Sequence, residues 1–109
     1  MTVDNLVKEL NLEVLTENSD LRKEIKGCYI CDLLSLAMSK VQSESVWITV
    51  QANVNIVAVA VLTEASCILI AEDMSIEQSV IDKASSEGVT ILRTDKSAFD
   101  VSVSIGNML

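Results

Sequence analysis

The sequence has no histidine and no proline, and among its 109 residues it has three glycines, one tryptophan, one tyrosine and one phenylalanine. Without histidine there is no Ser-His-Asp triad, no Cys-His pair and no histidine-ligated zinc. Gly27, Gly88 and Gly106 stand far apart, so no glycine-rich loop of the P-loop kind is available to hold a triphosphate. These absences disfavour an enzyme.

Basic residues are also scarce, with 8 Lys and Arg against 16 Asp and Glu, a formal net charge of −8. An acidic surface repels phosphate backbones, so nucleic acid is not an expected partner. The longest apolar run, residues 56–62, is far shorter than the roughly 18–20 residues that span a bilayer. The N-terminus has neither the basic start nor the apolar stretch of a signal peptide. We therefore expect a cytoplasmic protein with no membrane partner.

What the chain does contain is apolar sequence, which makes up 50% of its residues. That fraction excludes a disordered tail, and the length fits a single domain spanning residues 1–109. Strand-like segments at 11–15, 25–31, 46–50, 67–70 and 89–92 alternate with helix-like ones. The alternation predicts an α/β fold with a largely parallel sheet. Residues 53–64 favour a strand by propensity, but a parallel crossover at this point requires a helix.

Several residues predict where helices begin and end. Asp32, followed by Ser35, is placed to cap one helix start, and residues 75–78 have the pattern of a capping box. Thr94 or Asp95 is placed to cap the last helix, and Gly88 is placed to close a helix in a left-handed conformation. The pattern also predicts a bulge at Gly27. Further residues are expected in the core, namely Tyr29, Leu33, Leu36, Ala37, Val41, Trp47 and Phe99.

Three segments carry a resemblance to a known family. Residues 27–35 (Gly-Cys-Tyr-Ile-Cys-Asp-Leu-Leu-Ser) and 47–60 resemble the stand-alone DRTGG-domain family. Residues 87–97 are similar to the N-terminal domain of HPr kinase/phosphorylase, which is related in fold. Asn53 stands where family members often have a histidine, and the letters Asp-Arg-Thr-Gly-Gly are absent.

The resemblance implies a three-layer α/β sandwich with a mostly parallel sheet, often dimeric, with a regulatory or ligand-binding role. It does not imply kinase activity, which in HPr kinase belongs to a separate P-loop domain. A role that depends on the family's histidine is closed to this chain because Asn53 replaces it.

A candidate ligand site consists of polar residues that follow predicted strands and precede predicted helices. The carboxyl ends of parallel strands share one edge, where helix starts offer free amides to an anion. Helix capping alone explains Asp32, Ser75 or Asp95 taken singly, whereas the amides of residues 51–55 exceed what one cap needs. Arg93 is a further source of positive charge. The candidate site comprises Asp32, Ser35, Gln51, Asn53, Asn55, Thr94, Asp95 and Lys96.

Two other patterns have simpler explanations. Cys28 and Cys31 form a Cys-x-x-Cys pattern, but on a strand residues three apart point to opposite faces, and only Cys67 remains as a further thiol. Glu72 and Asp73 are adjacent acids that suit Mg²⁺ only together with a bound phosphate, and such pairs are usually solvated. We predict neither a metal site nor a cofactor.

The sequence thus predicts a non-catalytic regulatory module that binds a small anionic ligand, such as a nucleotide, or a partner protein, as a homodimer. Two alternatives remain open. One is a purely structural interaction adaptor with no ligand, and the other is a small enzyme that uses Asp32 or Asp95 as a base.

Overall fold

The computed structural model describes residues 1–109, which form five strands and five helices. The elements in chain order are α1 (Val3–Leu10), β1 (Glu13–Val14), β2 (Gly27–Ile30), α2 (Leu34–Lys40), β3 (Ser45–Thr49), α3 (Asn55–Thr63), β4 (Cys67–Ile70), α4 (Gln78–Ser86), β5 (Ile91–Arg93) and α5 (Ala98–Met108).

The strands form one sheet in the order β1-β5-β4-β3-β2. Neighbours from β2 to β5 are parallel, and β1 is antiparallel to β5. The helices that connect parallel strands, α2, α3 and α4, pack on one face of the sheet, while α1 and α5 pack on the other. The predicted α/β class with a mostly parallel sheet is therefore confirmed, and helices cover both faces.

Each face of the sheet has its own hydrophobic core, because side chains along a strand alternate between faces. Val46 and Ile48 of β3 point toward α1 and α5, whereas Trp47 between them points toward α2, α3 and α4. All residues of β3 and β4 are buried, as expected for central strands that are covered on both sides.

The helix predicted for residues 53–64 is confirmed, since α3 lies there and connects the parallel strands β3 and β4. Gly88 closes α4 with a φ of 72°, as predicted. The prediction of a bulge at Gly27 is wrong, because Gly27 pairs with Ser45 in a regular parallel register. A Cβ on Gly27 would lie 3.1 Å from Ser45 Oγ, so the glycine permits a close approach of the two strands.

The predicted helix starts are wrong in detail. The flanking residue of α4 is Glu77, so the 75–78 segment makes no capping box. The start of α5 is capped by Ser97, whose Oγ accepts the N–H of Asp100 at 3.1 Å, and not by Thr94 or Asp95. In each case the helix begins two or three residues later than expected, because the strand before it is followed by a turn.

Three residues that were predicted to be buried are exposed. Phe99 is 73% exposed on the outer side of α5, where Val101 and Ile105 fill the core positions instead. Leu33 and Leu36 are exposed, whereas Ala37 and Val41 are buried as expected. None of the five helices combines the length and the apolar character that crossing a membrane requires.

Candidate functional site

The parallel arrangement of β2 to β5 brings four loops to one edge of the sheet, which we call the carboxyl edge. Asp32 follows β2, residues 50–54 follow β3, residues 71–77 follow β4, and residues 94–97 follow β5. Polar residues that are far apart in sequence therefore lie on the same side of the molecule.

The Asp32 carboxylate connects the first two loops. Its Oδ1 accepts hydrogen bonds from Thr49 Oγ1 and from the backbone N–H of Val50, both at 2.9 Å. These contacts replace the predicted capping role, since α2 begins after Leu33 without a side-chain cap. Asp32 therefore joins the ends of β2 and β3.

Gln51 and Asn53 extend this connection. Gln51 Nε2 donates to the Asp32 carbonyl at 2.9 Å, and Gln51 Oε1 accepts from Asn53 Nδ2 at 3.2 Å. Asn53 Oδ1 in turn accepts the N–H of Asn55 at 2.9 Å, at the start of α3. We call Asp32, Thr49, Gln51 and Asn53 the Asp32 network. Both polar atoms of each side-chain amide therefore fix the loop, and each amide NH₂ keeps a second hydrogen for another acceptor.

A second polar group lies at the other end of the carboxyl edge, around Arg93. Its guanidinium donates to the Asp73 carboxylate, to the Asp73 carbonyl at 3.0 Å and to the Met74 carbonyl at 2.8 Å, and it contacts Glu13 at 3.4 Å. Arg93 is therefore already occupied in holding the β4–α4 loop against β5. The free cation at this end is Lys96, whose Nζ has no carboxylate within ion-pair distance.

Glu72 and Asp73 serve different partners. Glu72 Oε2 accepts the N–H of Ala98 at 2.8 Å at the start of α5, whereas the Asp73 carboxylate binds Arg93. The backbone N–H of Glu72 also donates to the Lys96 carbonyl at 2.8 Å, which ties the loops after β4 and β5 together. The two adjacent acids thus act as separate structural acceptors.

Two cavities open at the carboxyl edge. The first, the α3–α4 cleft, has a volume of about 700 Å³ and lies between the start of α3 and the segment that leads into α4. It is lined by Ala52, Asn53, Val54, Ser75, Ile76, Glu77, Ser79 and Val80. It combines an apolar wall with the Asn53 amide and two serine hydroxyls. The first two backbone N–H groups of α4 have no acceptor in the chain, whereas the first three of α3 donate to Asn53 and Val54.

The second cavity, of about 420 Å³, surrounds Arg93 and is almost entirely polar. Its lining contains Leu10, Asn11, Glu13, Asp73, Arg93, Thr94, Asp95 and Lys96. Thr94 is buried and its Oγ1 accepts the N–H of Lys96 at 3.2 Å, whereas Asp95 and Lys96 are exposed.

The predicted site residues thus lie at three separate positions along the carboxyl edge. Asp32, Gln51 and Asn53 form one network, and Asn55 is joined to it through its backbone. A separate cavity holds Thr94, Asp95 and Lys96. Ser35 lies exposed in the first turn of α2, and its hydroxyl makes no hydrogen bond.

Sequence analysis missed Thr49, which is 1% exposed and holds the Asp32 carboxylate. Its one signal was a threonine as the last residue of an apolar strand. Ser79 and Glu77 were missed as well, because they line the cleft only when α4 begins at Gln78.

The cysteines lie on different faces, as the strand argument predicts. Cys28 packs against the core on the α1 and α5 side, and Cys31 packs against the core on the α3 side. Burial raises the pKa of Cys28 to about 11 and that of Cys67 to about 12. Because the Cys28 and Cys31 side chains face different ways, the two residues do not form a redox pair.

Comparison with known proteins gives a family and a similar solved structure. The family model of the DRTGG domain matches residues 5–108. No curated protein matches the chain in sequence. A similar solved structure is the crystal structure of the CBS and DRTGG domains of the regulatory region of Clostridium perfringens pyrophosphatase, complexed with its activator diadenosine tetraphosphate.

That structure superposes with a TM-score of 0.75 at 16% sequence identity. The match covers 94% of this chain and 44% of the other, so the chain spans less than half of the length of its neighbour. At this identity the likeness shows the fold.

Proposed function

The chain belongs to the DRTGG-domain family, and from that premise we propose that residues 1–109 form a non-catalytic regulatory module that binds a small anionic ligand. We place the ligand, a nucleotide or a related phosphorylated compound, in the α3–α4 cleft. The module acts as a homodimer in the cytoplasm and passes the binding event to a partner protein. Its three free cysteines suit that reducing compartment.

The observation that carries this proposal is the Asp32 network beside the cleft. Gln51 and Asn53 each use both polar side-chain atoms to fix the loop, so the second N–H of each amide is held in place before any ligand arrives. Pre-organised donors lower the entropy that binding costs. The same network gives Asp32 a structural task, which makes it a poor candidate for a catalytic base.

The cleft suits a ligand with an apolar and an anionic part. Val54, Ile76 and Val80 offer an apolar wall to a ring. The start of α4 and the Ser79 hydroxyl offer donors to a phosphate. Glu77 places one negative charge at the cleft, so binding must be tested with and without Mg²⁺.

The structural neighbour supports the ligand class without defining the site. Its regulatory region was crystallised with diadenosine tetraphosphate, and it contains a DRTGG domain of the same fold. By analogy, adenine nucleotides are the first compounds to test on this chain.

The test is a thermal-shift screen of the purified chain against adenosine mono-, di- and triphosphate, diadenosine tetraphosphate and inorganic phosphate. A compound at about 100 times its Kd should stabilise the fold by about 2.7 kcal/mol, which raises Tm by several degrees. We expect Asn53→Ala to lose this shift.

The matched control is Ser97→Ala, which removes a comparable helix-start hydrogen bond from α5, away from the cleft. Both variants should lower basal stability by about 0.5–1 kcal/mol, but only Asn53→Ala should lose ligand stabilisation. A shift that survives in Asn53→Ala and disappears in Lys96→Ala would place the ligand in the Arg93 cavity instead. No shift with any compound would favour the adaptor without a ligand.

A further inference from the structure

Helix α3 is apolar on both of its sides. Its inner side, with Ile56, Val57, Val59 and Ala60, is buried against the sheet. Its outer side exposes Val54, just before the helix, and Ala58, Val61 and Leu62 within it, with Leu62 67% exposed. We call these four residues the α3 outer face. A helix that is hydrophobic all round is normally covered on all sides, and here the sheet, α2 and α4 leave the outer side of α3 open.

The absence of charge makes the α3 outer face the surface on which two copies of this chain repel each other least. Two molecules with a net charge of −8 repel each other wherever their acidic surfaces meet. Neither α3 nor Val54 carries a charge, so the α3 outer face adds nothing to this repulsion.

The rim of this face is self-complementary. A groove of about 540 Å³ runs along α3 toward α4, and its charged residues are Lys83 and Glu87, which pair within the chain at 2.9 Å. A second copy that approaches with the same face brings the same cation and the same anion to the rim, so the two rims offer each other opposite charges.

We propose that the α3 outer face pairs with the same face of a second copy across a two-fold axis that passes Ala58 perpendicular to the helix. This inference rests on the homodimer of the proposed function and assigns its interface. Two helices related by such an axis run antiparallel, which places Val54 of one copy opposite Leu62 of the other. The small Ala58 side chain at the centre allows the helices to approach closely.

Sedimentation velocity of the full chain over a range of concentrations tests the interface. Val61→Glu places two like charges in the apolar contact and should raise the dimer dissociation constant at least tenfold. Val103→Glu is the matched control, because Val103 is also 47% exposed on a helix but lies on the opposite side of the sheet. A wild-type chain that stays monomeric, or equal dissociation of both variants, would overturn the proposal.

Disulfide trapping tests the position of the axis. Ala58→Cys should form an intermolecular disulfide on mild oxidation, because the two copies of this residue meet at the axis. Leu62→Cys is four residues away, which separates its two copies by about 12 Å along the helices, beyond the roughly 7 Å that a disulfide can bridge. Cross-linking of Leu62→Cys but not of Ala58→Cys would contradict the proposed register.

The ligand screen separates this inference from the ligand proposal. If the wild-type chain is monomeric and a nucleotide still stabilises it, the α3 pairing is wrong and ligand binding stands. The opposite outcome is a wild-type dimer that Val61→Glu dissociates, together with a ligand screen in which no compound stabilises the wild-type chain. In that case the interface stands and the ligand proposal is wrong.

Discussion

Two threonines at opposite ends of the sheet, Thr49 and Thr90, are equally buried and differ in their hydrogen bonds. Each is 1% exposed. At the carboxyl end of β3, Thr49 Oγ1 donates to Asp32 and accepts the N–H of Gln51 at 3.1 Å. At the amino end of β5, Thr90 Oγ1 has no hydrogen-bond partner.

The difference shows what a hydrogen-bond partner does for a buried hydroxyl. A buried hydroxyl costs free energy unless it is hydrogen-bonded, so the Thr90 hydroxyl opposes folding while the Thr49 hydroxyl supports it. The Thr49 hydroxyl contacts the loops of the candidate site, whereas at Thr90 only the backbone is hydrogen-bonded, with its carbonyl accepting the N–H of Ile68 at 2.9 Å. At the amino edge the buried Thr16 hydroxyl also accepts the N–H of Ile91, at 3.1 Å, so hydrogen-bonded hydroxyls occur at both edges and the unpartnered Thr90 is the exception.

The largest effect is expected for Asp32→Ala. It removes the acceptor of the Thr49 hydroxyl and of the Val50 N–H, and should lower the free energy of unfolding by about 2 kcal/mol in urea denaturation. Asp32→Asn keeps an acceptor oxygen and should recover most of this loss. Equal losses in both variants would show that the charge, and not the hydrogen bonds, carries the effect.

Thr49→Val should cost less, about 1.5 kcal/mol, because it keeps the shape of the side chain and removes its two hydrogen bonds. The control is Thr49→Ser, which keeps the hydroxyl and loses one methyl group. Urea denaturation of the two variants separates hydrogen bonding from packing. Thr49→Val with wild-type stability would mean that the Asp32 network holds without its central hydroxyl.

The smallest effect, and one of opposite sign, is expected for Thr90→Val. Replacing an unpartnered hydroxyl with a methyl group should raise the free energy of unfolding by about 0.5 kcal/mol, seen as a Tm increase of a few degrees. Thr90→Ser should lower stability because it removes the methyl group and keeps the hydroxyl. If Thr90→Val were less stable than the wild type, the Thr90 hydroxyl would have a hydrogen-bond partner, and the two threonines would not differ in this respect.

Much of the fold follows from the sequence because the signals are local. The apolar run of β4 and the need for a crossover between parallel strands were enough to predict α3 as a helix. Gly88 showed where α4 ends, since few other residues adopt its φ of 72° without strain.

The sequence was enough to predict which edge of the sheet carries the site, but not which side chains contact each other there. The sequence predicted polar loops at the carboxyl ends of the strands, and the structure brings Asp32, Gln51 and Asn53 together there. It did not reveal that Asp32 binds Thr49, 17 residues later, in place of capping α2. The same short acidic side chain suits both tasks, and only the distance to β3 selects between them.

The sequence by itself determined the class of fold, because apolar periodicity and backbone preferences act between residues that are close along the chain. It also determined the acidic surface and the uncharged character of α3. Tertiary structure alone decided which hydrogen-bond partner each polar side chain takes, and which side of α3 and α5 is left exposed. Those outcomes depend on which strands are neighbours, and strand adjacency is set by the packing of the whole sheet.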